Sequence, residues 1–588
     1  MFEGLGAAVL ALAGCQVGFP HEAVGREQRA LHCCLVAAAA WFVVGLGAVA
    51  PQLSRSLAGA GLCLLTFLYL GHAVAVRNWG SPMSQAILMA ALQQLPLRAH
   101  QSPAVWLAVP LGGCVFGLGW GAAWADQQLL GPMALAWTGW GGSLMCLLGA
   151  GWLALTHRIP LSSDLLFGVL LGGHGPQGAT LPYDPALGER RRATVHPRQR
   201  PTVVMFVIDS ARAQNFSCYG YPRQTTPRID QLLEQGACRV PLAISNGVAS
   251  ETGLWAMLAS RRVRHQAVNA LCLHDILKGA GYSLRLFGSG VHRYYRGLEW
   301  LYGNQWDEFR HLLHDPQLVR WAGDLAGPSE QGDFLFFFLM SAHTAGGVEP
   351  PAHWKPSSNR CSRRGRGALQ AELRVPYLNH YDNGIREADR VIGEVLDALR
   401  ARGYLSNARV VISADHGEHV FERPQGWWGH GVSLYQEGIH IPLIYWDTRG
   451  GCPAPAALVD QTDIAPTLLA ELGLQAPASW QGRCLFEHPG RTSTHVEHVY
   501  HRQGEPPLHM EAYLCQTSQG LIKLIRHRQR GRELQESCFS LSHDPGERIN
   551  LMGRLDPQIQ AELRATIDGY AGQPALVPTT TWSYLGLT

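Results

Sequence analysis

The stretch that decides the fold is TVVMFVIDSAR, residues 202–212. Its first seven residues are mostly apolar and rich in β-branched side chains, which is typical of a strand buried on both faces of a parallel sheet. Similar runs occupy residues 334–340, 409–414 and 441–446, and residues 385–399 carry apolar side chains at helical spacing. The alternation predicts an α/β domain with a mostly parallel sheet flanked by helices.

Polar residues follow three of these predicted strands directly. Asp209 follows the first, His343 comes shortly after residues 334–340, and Asp415 and His416 follow residues 409–414. Because the carboxyl ends of parallel strands meet at one edge of a sheet, we expect these side chains to converge. Each alone could be a helix N-cap or a structural histidine. Together, carboxylates and an imidazole predict a metal site that favours zinc over calcium or magnesium.

The first third of the chain has a different composition. Residues 1–176 hold only 11 of the 93 charged residues, which predicts an all-α transmembrane domain of about five helices. The candidate spans are residues 4–20, 30–50, 56–76, 104–125 and 133–156, and residues 83–97 resemble an interfacial helix. A cleaved signal peptide is the alternative for the first span, but Glu3 replaces the basic residues such a peptide needs.

The number of spans and the positions of the arginines predict opposite orientations for this domain. Five spans with an inside N-terminus put residues 202–588 outside the cytoplasm, which leaves Arg26, Arg29, Arg77 and Arg98 in outside loops, against the positive-inside tendency. The short apolar stretch 165–171 could reverse the count, but it is too short to span alone. We expect the domain to lie outside the cytoplasm because of the catalytic motifs in residues 202–551.

The chain is thus divided into a transmembrane domain at 1–176, a linker at 177–201 and a catalytic domain at 202–588. The linker contains four prolines and a basic run. The net charge of +3 gives no reason to expect a nucleic-acid partner.

Eight cysteines follow the linker, and this even number permits disulfides without assigning them. They are Cys218, Cys238, Cys272, Cys361, Cys452, Cys484, Cys515 and Cys538. Because no CxxC pair occurs, we expect no cysteine-based structural zinc site.

Five ordered motifs resemble those of the alkaline phosphatase/sulfatase superfamily. They are DSAR at 209–212 with NFSCYGY at 215–221 and TPRID at 226–230; the helix carrying Tyr381, Asp389 and Gly393; DHGE at 415–418 with GHG at 429–431; DQTDIAPTLL at 460–469; and SHDPGERINL at 542–551. The resemblance spans residues 202–551 and implies an alkaline-phosphatase-like fold.

The loop at 244–258, ISNGVASETGLWAML, indicates the branch of this superfamily. Sulfatases need Cys or Ser followed by x-Pro-x-Arg so that the residue can become formylglycine. The register puts Ser250 at the nucleophile position, with Thr252 and Leu254 where Pro and Arg would stand. An unmodified serine nucleophile is therefore expected, although Ser250 could instead be an ordinary helix N-cap.

A block of spans followed by such a domain resembles the membrane-bound phosphoethanolamine transferases. Their loop Cys and Thr are Asn246 and Ser250 here, and their opening Glu is Asp209. The resemblance implies one zinc ion, and allows a second, held by Asp209, Ser250, Asp415 and His416. It also implies that His343 and His430 contact the transferred phosphate.

The sequence therefore predicts a multi-pass enzyme of a bacterial inner membrane with a periplasmic catalytic domain. It would move a phospholipid headgroup, phosphoethanolamine first, through a serine-linked intermediate to a lipid or glycan acceptor. The alternatives are a phosphoglycerol transferase, a membrane-anchored hydrolase of phosphate or sulfate esters, and a binding protein with a decayed site.

Overall fold

The computed structural model describes residues 200–573, apart from 268, 290–297, 304, 313, 344–349, 359–367, 501–505 and 530–531. The predicted spans, the interfacial helix and nearly all of the predicted linker lie outside the described residues. Among the residues that are described, no helix is long and apolar enough to cross a membrane. The domain boundaries at 176 and 201 stay predictions.

The helices and strands alternate through the first part of the domain and give way to consecutive strands near its end. The helices are α1 (Pro227–Glu234), α2 (Ser250–Ala259), α3 (Leu273–Gly279), α4 (Leu298–Tyr302), α5 (Pro316–Asp324), α6 (Ala368–Ala401), α7 (Gln436–Ile439), α8 (Ile464–Glu471) and α9 (Pro557–Ala571). The strands are β1 (Thr202–Ile208), β2 (Cys238–Arg239), β3 (Leu242–Ile244), β4 (Ser283–Ser289), β5 (Glu308–Leu312), β6 (Asp333–Leu339), β7 (Ala408–Ala414), β8 (His419–Val420), β9 (Trp428–Gly429), β10 (His440–Ile441), β11 (Leu443–Asp447), β12 (Leu458–Asp460), β13 (Ser493–Tyr500), β14 (Leu508–Thr517), β15 (Gly520–Gln529) and β16 (Arg532–Ser540).

The main sheet has seven strands in the order β2-β11-β7-β1-β6-β4-β5. Strand β1 pairs in parallel with both β6 and β7, so that Ile208 lies opposite Leu339 on one side and Ala414 on the other. Strand β4 also runs parallel to β5 and β6. The predicted α/β class with a mostly parallel sheet is confirmed, and three predicted strands end at the same edge.

The core lies along both faces of this sheet. Every residue of β1, β6 and β7 is buried, which is why their sequences are apolar throughout rather than alternating. Phe337 stacks between Phe206 at 5.0 Å and Phe287 at 5.3 Å, measured between ring centroids. Each buried phenylalanine contributes about 1.5–3 kcal/mol to folding. The predicted helix at 385–399 lies within α6.

The predicted parallel strand at 441–446 is wrong in its direction and its bounds. The run is split at Pro442: β10 pairs with β3 in a second sheet, and β11 runs antiparallel to β7. Proline has no N–H to donate to a ladder, and here its carbonyl accepts a hydrogen bond from the Ser413 hydroxyl at 2.8 Å. An apolar run reports burial, but it does not encode strand direction.

The C-terminal part forms a separate antiparallel sheet of four strands, β13-β14-β15-β16. One face packs on the loop before α2 through Ile244 and Val248, and the other packs on α9 through Leu563 and Ile567. A disulfide joins Cys238 in β2 to Cys452, with 5.8 Å between the Cα atoms. Of the eight cysteines after the linker, Cys361 lies outside the described residues.

Candidate active site

The carboxyl ends of β1 and β7 bring together two carboxylates and an imidazole. Asp209 follows β1, and Asp415 and His416 follow β7; one ligand atom from each lies within 4.8 Å of the others, and all three residues are buried. His416 Nε2 lies 3.8 Å from Asp209 Oδ1 and 3.6 Å from Asp415 Oδ2. The sequence prediction that these three residues converge is consistent with this geometry.

Hydrogen bonds orient these groups. Asp415 Oδ1 accepts from the backbone N–H of Ser210 at 3.0 Å and of His416 at 2.8 Å. His416 Nδ1 lies 2.9 Å from the Gly417 carbonyl oxygen, so its proton sits on Nδ1 and the Nε2 lone pair faces the carboxylates. A ring nitrogen fixed in this way is the usual arrangement of a metal-binding histidine.

The electrostatics favour a bound cation. Burial, together with the nearby Asp415 carboxylate, raises the pKa of Asp209 well above its ordinary value. Burial also lowers the pKa of His416, so its imidazole is neutral. Two buried carboxylates beside a neutral imidazole form the donor set of a divalent metal site. The residues present therefore fit a metal ion.

Ser250 is the first residue of α2, and its hydroxyl faces this cluster. Its Oγ lies 3.3 Å from His416 Nε2, and the residue is 7% exposed. The N-terminus of a helix carries a partial positive charge that favours an anion. Glycine at position 253 lets α2 approach the end of β7 closely, because a Cβ atom there would lie 1.9 Å from the Asp415 carbonyl oxygen.

The two neighbouring hydroxyls are directed elsewhere. Thr252 Oγ1 donates to the Ala249 carbonyl at 2.7 Å within the first turn of α2. Ser245 Oγ lies 2.9 Å from the Asp415 carbonyl oxygen and 3.0 Å from Gln461 Oε1. Ser250 is thus the hydroxyl of these three that faces the carboxylates and the imidazole.

The turn after Asp209 is fixed by Tyr381. Ser210 adopts a φ of 61°, in the left-handed region that is unusual for serine. The Tyr381 hydroxyl donates to the Ser210 carbonyl at 2.8 Å and accepts from the Arg212 N–H at 2.9 Å. Asp389, also on α6, accepts from the first N–H groups of α1.

His343 and His430 lie beside the cluster. The His430 ring is 4.4 Å from that of His416 and 5.2 Å from that of His343, between centroids. Burial, with help from His430, lowers the pKa of His343 to about 4. Burial also opposes the charged form of His430, but the Glu418 carboxylate, 3.4 Å from its Nδ1, outweighs burial and raises its pKa. The two rings are therefore shifted in opposite directions: the surroundings of His343 favour its neutral form, and those of His430 favour its protonated form.

Two supporting residues were not assigned roles from the sequence. Glu418 lies in the quoted DHGE motif, and its contact with His430 could have been suspected from that position. Asp315 accepts hydrogen bonds from the backbone N–H groups of Met340 at 2.9 Å and Ser341 at 2.7 Å. It thereby holds the turn that carries His343, and no sequence signal beyond an Asp directly before Pro316 pointed to it.

A second group of metal-type ligand atoms comprises Cys272, His274 and Asp275. Cys272 and Asp275 form a reciprocal capping box at the start of α3. The side chains of Cys272 and Asp275 are therefore explained as helix caps.

Comparisons with known proteins agree with the fold and the motifs. Residues 201–474 match the family model named Sulfatase. Arylsulfatase K of Xenopus laevis is 26% identical over 195 residues, which are 31% of this chain and 35% of that protein. Kdo(2)-lipid A phosphoethanolamine 7''-transferase of Salmonella typhimurium is 25% identical over 276 residues, 42% of this chain and 44% of that protein. The matched stretches thus cover between about a third and just under half of those relatives.

A solved structure supports the fold independently. The structure of BT4656, in complex with its substrate D-glucosamine-2-N,6-O-disulfate, superposes with a TM-score of 0.50 at 15% identity, covering 64% of this chain and 99% of that one. The parallel sheet, the ordered motifs and the family match lead to one conclusion: residues 201–474 form a sulfatase-family domain of the alkaline phosphatase superfamily.

Proposed function

We propose that this chain is a membrane-bound, metal-dependent phosphotransferase that moves phosphoethanolamine from a phospholipid donor to a lipid or glycan acceptor. The observation that carries the proposal is the Ser250 hydroxyl, 3.3 Å from His416 Nε2 at the start of a helix. Thr252 and Leu254 stand where conversion to formylglycine would need Pro and Arg, so the serine acts unmodified. The Salmonella relative supports phosphoethanolamine as the headgroup.

The metal of this proposal is zinc, which the carboxylates of Asp209 and Asp415, His416 Nε2 and the Ser250 oxygen would hold. A bound zinc ion stabilises the alkoxide form of a serine and offsets charge on phosphoryl oxygens. The buried imidazole among the donors favours zinc over the hard cations that prefer oxygen alone.

In the first half-reaction one histidine accepts a proton and another donates one. Ser250 Oγ forms a bond to the phosphorus of the donor, and the bond from phosphorus to the diacylglycerol oxygen breaks. His343, whose pKa of about 4 leaves it neutral, accepts the serine proton. His430, whose pKa is raised against burial by Glu418, donates a proton to the departing diacylglycerol oxygen.

The second half-reaction returns both protons. The acceptor oxygen attacks the phosphorus, its proton passes to His430, and the bond to Ser250 breaks. The serine oxygen regains its proton from His343. Each histidine ends in the protonation state in which it began.

A second candidate function is hydrolysis of a sulfate or phosphate ester, with water as the acceptor. The similarity to Arylsulfatase K favours it, as does the SHDPGERINL element, which contains the buried Glu547. A phosphoglycerol transferase would use the same steps with another headgroup. The donor lipid used in the assay separates these alternatives.

The proposed donor also fixes the proposed location. A phospholipid substrate fits a catalytic domain tethered by spans at residues 1–176, on the periplasmic side of a bacterial inner membrane. A reporter enzyme that is active only in the periplasm, fused after residue 588, tests this placement.

The direct test replaces the proposed nucleophile. Full-length protein in detergent is incubated with zinc and phosphatidylethanolamine, and intact-protein mass spectrometry with peptide mapping looks for a phosphoethanolamine adduct. We expect the adduct on Ser250, and Ser250→Ala should abolish both the adduct and diacylglycerol release. Thr252→Ala is the matched control, because that hydroxyl bonds within its own helix turn, and it should retain most of the activity.

The alternatives give different results in the same assay. Reaction with phosphatidylglycerol alone would assign the phosphoglycerol transferase. Cleavage of a sulfate ester such as 4-nitrocatechol sulfate, without any lipid turnover, would assign the hydrolase. An adduct on Thr252, or full activity in Ser250→Ala, would show that the nucleophile is misassigned.

A further inference from the structure

Gln461 occupies the junction between the loop that carries the proposed nucleophile and the strand that carries the proposed metal ligands. It is the first residue of the short helical turn Gln461–Asp463 that follows β12, and only 1% of its surface is exposed. A buried amide must find partners for its oxygen and its nitrogen. Gln461 finds them on two different segments.

The two ends of this amide bind the two segments separately. Its Nε2 donates to the carbonyl oxygens of Ala414 at 3.0 Å and Asp415 at 2.7 Å. Its Oε1 accepts from the Asn246 N–H at 3.1 Å and lies 3.0 Å from Ser245 Oγ, whose single proton is also within reach of the Gly247 and Asp415 carbonyl oxygens. Two carbonyl oxygens on one side and the Asn246 N–H on the other allow only this orientation of the amide.

The contacts converge on the main chain of Asp415. Its carbonyl oxygen accepts from Gln461 Nε2 and lies 2.9 Å from Ser245 Oγ. The backbone of α2 approaches the same oxygen so closely that a Cβ on Gly253 would lie 1.9 Å away. Backbone contact therefore sets how closely α2 can approach the end of β7, and the side chains of Gln461 and Ser245 link the loop before α2 to the same carbonyl oxygen.

We propose that Gln461 is a positioning residue, which fixes the Ser250 hydroxyl relative to Asp415 and His416. The inference rests on the proposed function, because it assigns Gln461 to the same nucleophile and metal ligands. The proposed role of Gln461 requires no contact with substrate or metal. It acts by preventing the loop at Ser245–Asn246 from shifting, and a displacement of about 1 Å at a reacting atom can cost roughly 100-fold in rate.

The test is Gln461→Glu in the full-length protein. Glutamate keeps the shape but has no N–H to donate, and it places carboxylate oxygen against two carbonyl oxygens. We expect kcat for diacylglycerol release from phosphatidylethanolamine to fall about 10–100-fold and zinc affinity, measured by chelator competition, to fall about 10-fold, as for other residues that orient metal ligands. KM should change little, because no substrate contact is lost.

Gln266→Glu is the matched control. Gln266 is also fully buried, and its Nε2 donates to the Thr252 carbonyl at 3.0 Å, on the same helix α2. It places a charge in a comparable environment without a bond to the end of β7. We expect it to lower the melting temperature while kcat and zinc affinity stay close to those of the wild type.

The results separate this inference from the proposed function. Wild-type protein without zinc binding or lipid turnover would overturn the proposed function itself. Wild-type activity that is equally retained in Gln461→Glu, or equally lost in Gln266→Glu, would overturn only the role of Gln461. Should Gln461→Glu not fold, Ser245→Ala removes one bond of the same network, and it should lower both zinc affinity and kcat by a smaller factor; unchanged values would overturn the inference.

Discussion

Two pairs of neighbouring aspartates are buried in the described part of this domain, and Asp460 of one pair and Asp209 of the other have opposite electrostatic surroundings. Asp460 and Asp463 are surrounded by arginine: Asp460 Oδ2 lies 3.2 Å from Arg262 Nη2 and 3.3 Å from Arg491 Nη1. Burial opposes the charge of Asp460, but Arg491 and Arg262 outweigh it and hold its pKa below the ordinary value. The second pair, Asp209 and Asp415, has a different environment.

Around Asp209 the nearby charges are negative. Burial raises its pKa, Asp415 raises it further, and Glu418 and Asp315 add to the effect, while the Ser210 hydroxyl opposes it. The difference teaches how to distinguish a structural acid pair from a functional one. Asp460 is neutralised by arginines of the protein itself, whereas the carboxylates beside the neutral imidazole have surroundings that favour a bound cation.

The largest effect expected from this comparison is that of Asp415→Asn. Asparagine keeps an oxygen that can accept from the backbone N–H groups of Ser210 and His416, but it removes the charge. We expect zinc affinity to fall by roughly 100-fold or more. The metal-free variant should unfold at the same temperature as metal-free wild type or higher, because like-charge repulsion is relieved. Elemental analysis and thermal unfolding with a chelator check both; a large loss of metal-free stability would contradict the comparison.

Asp460→Asn should give the opposite pattern. It leaves the partly buried side chains of Arg262 and Arg491 with less compensating charge. Breaking a fully buried pair costs about 3–5 kcal/mol of unfolding free energy, and we expect a loss near the lower end of that range because Arg491 keeps its ion pair with Asp463. Its oxygen can still accept from the Thr462 N–H, as Asp460 Oδ1 does at 3.0 Å, so Gln461 keeps its place and zinc affinity should be unchanged. Urea unfolding and chelator competition measure the two quantities. Loss of zinc with no loss of stability would refute the structural role.

The smallest effect concerns His440, a partly buried histidine that stays uncharged in the folded protein. Burial, with the nearby Lys523 ammonium, lowers the pKa of His440 to about 4. As the pH falls below about 6.5, His440 becomes protonated in the unfolded chain but stays neutral in the folded chain. The free energy of unfolding should therefore decrease between pH 7 and 5.5, by about 1 kcal/mol from this residue. His440→Gln should flatten that slope in unfolding curves. An unchanged slope would show that His440 is protonated in the fold.

The sequence was most informative where a single structural requirement, such as burial on both faces of a sheet, determined the type of residue at each position. Residues of β1 are apolar because both faces are covered, and Asp209, Asp415 and His416 could be placed together because parallel strands end at one edge. The family register then singled out Ser250 among three hydroxyls, and the structure directs Ser245 and Thr252 elsewhere. The roles of these residues stay predictions until they are measured.

The remaining features depend on contacts between distant segments. Gln461 carries no sign in its own sequence that its amide binds Ala414 and Ser245. The predicted direction of β11 was wrong because an apolar sequence does not specify whether a strand pairs in parallel or antiparallel. The four-stranded C-terminal sheet was not predicted, although residues 508–517 and 520–529 lie on either side of a short turn and contain alternating apolar and polar stretches. That pattern was the available signal for a hairpin.

The disulfide between Cys238 and Cys452 has a consequence for how the protein is made. It ties together positions 214 residues apart, so most of the domain must be synthesised before the bond can close. Such bonds persist where thiols are oxidised and are rare in the reducing cytoplasm. Protein produced in an unmodified cytoplasm would therefore have an untethered β2 at the edge of the main sheet. Formation of this bond therefore requires an oxidant and most of the domain at the same time.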